Sequence, residues 1–246
     1  MKVGKAIYNI LSRSTEVQSN FPFNTTDYSP TGTELVTNGD FATDGTPTTS
    51  SWSLGWAIVG ADGGGANITG GELVLSLPDG EDSNYNRIYA TNGSSAITGV
   101  VEVGKSYKLT YTVTAVSGST TFKYIRGGSY ADAPASLGTH VIHYDCTVTG
   151  HFGFRNSGND SSITLDNVSI EEMVLNKIFP ELAPPDIDAP YIVYSVVSNS
   201  PSDTKNANGD IDTASIEVYG FQDTYNRAVD LGVSVRAALD RKTGTY

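Results

Sequence analysis

The chain has 246 residues, 38% of them apolar, and 15 Lys and Arg face 27 Asp and Glu for a formal net charge of -12. That length allows one large domain or two small ones, and the acidic balance argues against a nucleic-acid interface built on a basic patch. The single cysteine, Cys146, excludes an intramolecular disulfide, and no apolar run approaches the roughly 20 residues a membrane helix needs.

In chain order, Val3, Ile7, Ile10 and Leu11 fall on one helical face and predict a short amphipathic helix. The apolar run there is short, broken by Asn9 and followed by Ser12 and Arg13, so the sequence predicts no secretory signal. From Ser14 to Gly32 the pattern dissolves into polar, turn-rich sequence with Pro22 and Pro30, read as a linker. From Glu34 to about Met173, short strands follow one another between Gly, Asn and Asp turns without a helical period, which predicts a β-sandwich. Tyr107 to Val113 alternates cleanly, Leu73, Leu75 and Leu77 form a second set, and Phe152 with Phe154 a third. The closing strand Ile163 to Ile170 changes phase at Asp166-Asn167, as a bulge would.

After Met173 the character changes. Ile178-Phe179-Pro180 reads as extended, Ala183-Pro184-Pro185 as a turn, Tyr191 to Val197 as a buried strand and Ser198 to Gly209 as a polar loop. A second strand, Thr213 to Phe221, leads to a closing helix with Asp223 as its N-cap and Ala228, Leu231, Val235 and Leu239 as its apolar stripe.

This last element order, with its Pro-containing lead into "PYIVYSVVS", and the opening "MKVGKAIYNILS" resemble the tail terminator (tail completion) proteins of long-tailed bacteriophages. The stretch "ELVTNGDFATDG", Trp52, Trp56 and the closing "SITLDNVSIEE" resemble the first and last strands of carbohydrate-binding-module jelly rolls. Together the resemblances imply an α+β host domain, residues 1–30 and 174–246, with a small antiparallel sheet and N- and C-terminal helices. An all-β jelly-roll insert at 31–173 interrupts it. They imply a structural virion protein of the tail and neck, assembled in a bacterial cytoplasm. It would form a ring, usually a hexamer, that caps the tail tube protein and meets a head-side connector or stopper, with DNA passing through but not bound specifically; the net charge would suit an acidic lumen, and ordinary solubility explains it equally well. A carbohydrate-binding or decoration protein without that role is the rival reading.

Candidate chemistry is sparse. Ser198, Asp203, Lys205, Asn208 and Asp210, in the polar loop, are candidates for contact with tube or connector. Trp52, Trp56, Tyr85, Tyr89, Tyr124 and Tyr130 offer flat rings to a sugar, with core packing the competing fate of the two tryptophans. Asp40 and Asp166, near the first and last jelly-roll strands, are candidate ligands of a structural calcium, against a role in capping turns. His140, His143, Cys146 and His151 lie close in sequence, but strand alternation puts His143 on the face opposite His140 and Cys146, which disfavours zinc. No nucleophile elbow, phosphate loop or His-Glu-x-x-His motif is present, so no catalysis is expected.

Overall fold

The computed structural model describes residues 3–21, 26–48, 54–59, 65–77, 87–91, 101–157, 160–202, 211–221 and 224–240. The chain divides into two compact units, Met1–Ser29 with Val174–Tyr246, and Pro30–Met173.

The second unit is built of antiparallel strands: β1 (Tyr28–Glu34), β2 (Trp56–Val59), β3 (Gly65–Thr69), β4 (Glu72–Leu77), β5 (Arg87–Ala90), β6 (Ser106–Ser117), β7 (Phe122–Arg126), β8 (Ser129–Asp132), β9 (Gly138–Asp145), β10 (Phe152–Asn156) and β11 (Ser161–Leu175). One sheet has the order β3-β4-β11-β6-β9 with β1 also paired to β11, and the other runs β2-β5-β10-β7-β8. Apart from the hairpins β3-β4 and β7-β8, successive strands cross between the sheets; the two sheets share one apolar core, and the result is a β-sandwich. Tyr107, Leu109, Tyr111 and Val113 from β6 meet Phe152 and Phe154 from β10 in that core. The expected bulge is present, for the register of β11 against β6 shifts between Asp166 and Ser169, with Asn167 at a φ of 51°.

Trp56 sits at the centre, fully buried. Its ring lies 5.6 Å from Phe41, 6.4 Å from Phe152 and 6.3 Å from Phe154, and its indole N–H donates to the Asn38 carbonyl at 3.0 Å. Burial of such a ring stabilises a fold by about 1.5–3 kcal/mol, provided its polar atom finds a partner, as it does here.

The first unit contains α1 (Val3–Arg13), α2 (Thr15–Gln18), β12 (Ile178–Pro180), β13 (Tyr191–Ser202), β14 (Ile211–Phe221) and α3 (Tyr225–Leu239). Ile7 and Leu11 of α1 and Leu231, Val235 and Ala238 of α3 are buried, and both helices pack on the sheet β12-β13-β14. Tyr194 joins the layers, its hydroxyl donating to the Gly4 carbonyl at 2.9 Å.

Four expectations change. The stretch from Ser14 is no plain linker: Ser14 caps α2 through Val17 N–H at 3.3 Å, and Val17, Phe21 and Tyr28 are buried. The small sheet is mixed, because β12 pairs parallel to β13 while β14 is antiparallel; the Pro-rich connection carries the chain back before it re-enters the sheet. The N-cap of α3 is Thr224, whose hydroxyl accepts from Arg227 N–H, whereas Asp223 lies outside the described residues. Ser198 belongs to β13, paired with Ser215, rather than to a loop. Asp203, Lys205, Asn208 and Asp210 lie outside the described residues.

Candidate functional site

In the five-stranded sheet, strand alternation turns Ile88, Phe122, Tyr124, Phe152 and Phe154 into the core. Their neighbours Arg87, Lys123 and Arg155, with Tyr130 and Asp132 of β8, therefore occupy the outer face. Register sets Arg155 opposite Arg87 on one side and opposite Lys123 on the other, and Lys123 opposite Asp132. Three cations thus stand in one row across β5, β10 and β7, at the roughly 4.8 Å spacing of adjacent strands.

Tyr130 lies against this row. Arg87 Nη1 donates to its hydroxyl at 2.9 Å, and the Arg155 guanidinium carbon lies 5.3 Å from its ring centroid. Lys123 Nζ meets Asp132 Oδ1 at 2.7 Å, but the Asp132 side chain is 87% exposed, so that pair adds little stability. No acidic side chain among the described residues forms a salt bridge with Arg87. Burial pulls the Arg87 pKa down, and the hydrogen bond with Tyr130 and the fields of Tyr89 and Tyr130 more than offset it, so it rises. Tyr89 is pushed up by burial first and by Tyr130 second. Gly153 stands in β10 beside these groups, where a Cβ would run into the Ile88 carbonyl oxygen of β5. Only glycine lets the strand bearing Arg87 approach so closely.

The candidate stacking rings separate sharply. Trp56 and Tyr124 are core residues, the latter 5.3 Å from the Tyr144 ring, and neither offers a face to a ligand. Tyr89 is buried against His151 at 5.2 Å. Tyr130, 37% exposed, keeps accessible ring surface. Tyr85 and Trp52 lie outside the described residues. Sequence reasoning overlooked Arg87, Lys123 and Arg155, although each alternates with an apolar residue in "NRIYA", "FKYIR" and "FGFRN". Cations at the outward positions of strands that register together were the available signal.

The proposed calcium pair fits poorly. Asp40 Oδ1 accepts from Ala42 N–H at 3.3 Å, while Asp166 Oδ1 and Oδ2 take the backbone and side-chain N–H groups of Asn167 at 2.6 and 2.8 Å. A cavity of about 360 Å³ beside the bulge is lined by Glu34, Asn38, Asp40, Asn167 and others, but Asp166 is not among them. Glu34 Oε1 there is already engaged by Val36 and Ile170 N–H. Each carboxylate serves its own turn, and among the described residues no three His, Cys, Asp or Glu side chains converge as metal ligands. His140 Nε2 lies 2.7 Å from the Ser136 carbonyl and Cys146 Sγ donates to the Val148 carbonyl, so these groups too are used locally.

In the first unit, an open groove of about 460 Å³ lies between the Pro-rich loop and the sheet, lined by Leu182, Pro184, Pro185, Ile187, Tyr191 and Val193 among others. Ile192 and Tyr194 face the helices, so Tyr191 and Val193 belong to the opposite face. On the helix side, α3 leaves Tyr225, Val229 and Val233 exposed along one stripe.

No protein-family model and no curated protein matches the chain. Among solved structures it is similar to a family 4 carbohydrate-binding module at 19% identity and a TM-score of 0.34, over 48% of this chain and 94% of the other. It is also similar to the CBM22-1 xylan-binding domain of Paenibacillus barcinonensis Xyn10C, at 15% identity and a TM-score of 0.35, over 58% and 97% of the two chains. A third is a family 29 module complexed with mannohexaose, at 14% identity and a TM-score of 0.32, over 53% and 89%.

Proposed function

We propose that the sandwich unit is a non-catalytic saccharide-binding module with Tyr130 as its stacking ring. The observation that carries this reading is the outer face of the five-stranded sheet, where a part-exposed ring is pinned by Arg87 and Arg155 and flanked by Lys123 and Asp132. A ring held in place offers its apolar surface to a pyranose at little cost in ordering, and the fixed polar groups around it can select hydroxyl positions. A glycan array followed by titration calorimetry on the full chain tests it. Tyr130→Ala should weaken the best ligand roughly tenfold, about 1.4 kcal/mol, with thermal unfolding nearly unchanged. Absence of binding to every glycan would sink this reading.

A second reading concerns the first unit and rests on its two apolar surfaces on opposite sides of one small sheet, the α3 stripe and the Pro-loop groove. We infer that they meet head to tail between copies, since a heterologous contact closes into a ring when its rotation permits. This is the assembly required of a tail terminator, capping a tail tube and meeting a head-side connector in a virion. Mass photometry of the purified chain should find a closed oligomer; a strict monomer, at micromolar concentration and on tail tubes alike, would overturn it.

A further inference from the structure

A glycine inside a helix weakens it relative to alanine, because glycine loses more backbone freedom on ordering. Gly232 holds such a position in α3, exposed, and a Cβ there would meet no other described atom within 4 Å beyond the helix's own turns. Nothing described within the protomer therefore excludes alanine. At 3.6 residues per turn, Gly232 falls on the same arc as Tyr225, Val229, Val233 and Arg236, all of them exposed. The arc carries a notch, with an aromatic ring two turns, about 10 Å, to one side and a guanidinium one turn to the other. The Pro-rich loop supplies the opposite features. Leu182, on the rim of its groove, is 81% exposed, and Glu181 beside it is an exposed acid. Among the described residues neither Arg236 nor Glu181 forms a salt bridge. Most of the net charge of -12 belongs to the sandwich's segment, so the first unit is close to balanced and copies can meet through it without strong repulsion.

We propose that Gly232 keys the contact between copies of this chain: Leu182 of one copy seats on Gly232 of the next, whose Tyr225 enters the Pro-loop groove while its Arg236 meets Glu181. The proposal rests on the head-to-tail reading of the first unit above and gives that contact its register and its specificity residue. A helix without a Cβ at the crossing point lets a partner approach closer than any side chain would allow. A ring that fills a groove is the usual anchor of such a contact. The charge pair, exposed in each free copy, fixes orientation more than it adds strength. A second copy is the fitting occupant because one chain carries both halves, knob and notch, groove and ring, acid and cation, on opposite sides of one small sheet.

The test uses the full chain in sedimentation velocity over a range of concentration. Gly232→Ala should raise the melting temperature of dilute, unassembled protein by a few degrees, as replacing a helical glycine does, and yet weaken assembly at least tenfold. A glycine with no part in the contact would show the first effect without the second. Gly232→Leu and Leu182→Asp should each give monomers that keep the circular-dichroism signal of α3. Mixed in equal amounts, these two variants share one intact junction per pair, the helix of the Leu182→Asp copy against the loop of the Gly232→Leu copy. They should form heterodimers that grow no further. Arg236→Glu should weaken assembly, and Glu181→Arg in the same chain should restore it. The alanine variant carries the test even where leucine disturbs the helix. Gly232 and Leu182 variants that assemble as the unaltered chain does would overturn the proposal and leave the ring standing, as would variants that stay monomeric when mixed. If the unaltered chain never assembles, alone or on tail tubes, both readings fall together.

Discussion

Tyr107, Tyr111 and Tyr144 give the sandwich a measurable response to alkali. Burial, the largest cause in each, pushes their pKa values above the ordinary 10.0. The Tyr107 hydroxyl accepts from Glu102 N–H at 2.9 Å, and the Tyr111 hydroxyl donates to the Pro134 carbonyl at 2.8 Å. A phenol whose pKa is raised in the folded state holds its proton more tightly there than when unfolded. Between the unfolded value near 10 and the higher folded value, the native state therefore binds more protons, and stability falls as pH rises. These phenols add no pH dependence between about pH 8 and 10, and above pH 10 the melting temperature should drop in step with tyrosinate absorbance. Full ionisation of these phenols with no loss of native structure would contradict this. The comparison of Tyr124 with Tyr130 shows what sequence can and cannot tell at this scale. Both sit in strands of alternating sequence, but Tyr124 pairs with Ala131 on the core side while Tyr130 pairs with Ile125 on the outer side. Alternation within a strand groups residues by face; which face meets the core is decided by the partner sheet, which lies far away in sequence. For the same reason the cationic row was not legible from any one strand.

The strands and helices themselves were easier to read where their periods are long. Leu73, Leu75 and Leu77 all lie in β4 and are buried, and the phase change at Asp166-Asn167 is a true register shift. The four-residue α2 escaped notice because so short a helix has no period; the cap from Ser14 and the burial of Val17 sustain it. In α3, Leu231 and Val235 face inward as the pattern predicts, and Ala238 completes the stripe. What periodicity did not reveal is the second stripe, Tyr225, Val229 and Val233, of which Tyr225 is 83% and Val233 63% exposed. Substitution at such positions changes monomer stability by about 0.5 kcal/mol or less. The double variant Val229→Asp with Val233→Asp should therefore keep its helicity and melting temperature while losing the oligomer seen by mass photometry. Oligomers that persist in this variant would exclude the stripe from the contact.

At the scale of the molecule, the question is whether two cores are joined only by the chain. Members of the sandwich core lie between Val36 and Ile170. The first unit buries Ile7, Leu11, Val17, Phe21, Ile178, Ile192, Leu231 and Val235 from its own segments. At the junction, within the first unit, Asn176 N–H donates to the Asp27 carbonyl at 2.7 Å, Asn176 Nδ2 to Ser29 Oγ at 2.6 Å, and Lys177 Nζ meets Asp27 at 3.2 Å. The outgoing and returning strands are thus neighbours, about 4.8 Å apart as paired strands are. Four Gly and Ser residues, with a root-mean-square span of about 11 Å, can replace Pro30–Met173 without straining either strand. We expect the joined fragment to stay soluble, to keep the circular-dichroism signal of α1 and α3, and to unfold in one cooperative transition. The excised sandwich should unfold cooperatively by itself, with the fluorescence of a buried Trp56. It should retain any saccharide binding, while ring formation should stay with the joined fragment. A joined fragment that aggregates or loses its helices would mean that the sandwich supports the first unit through more than the chain, and both assignments of function to separate units would have to be abandoned.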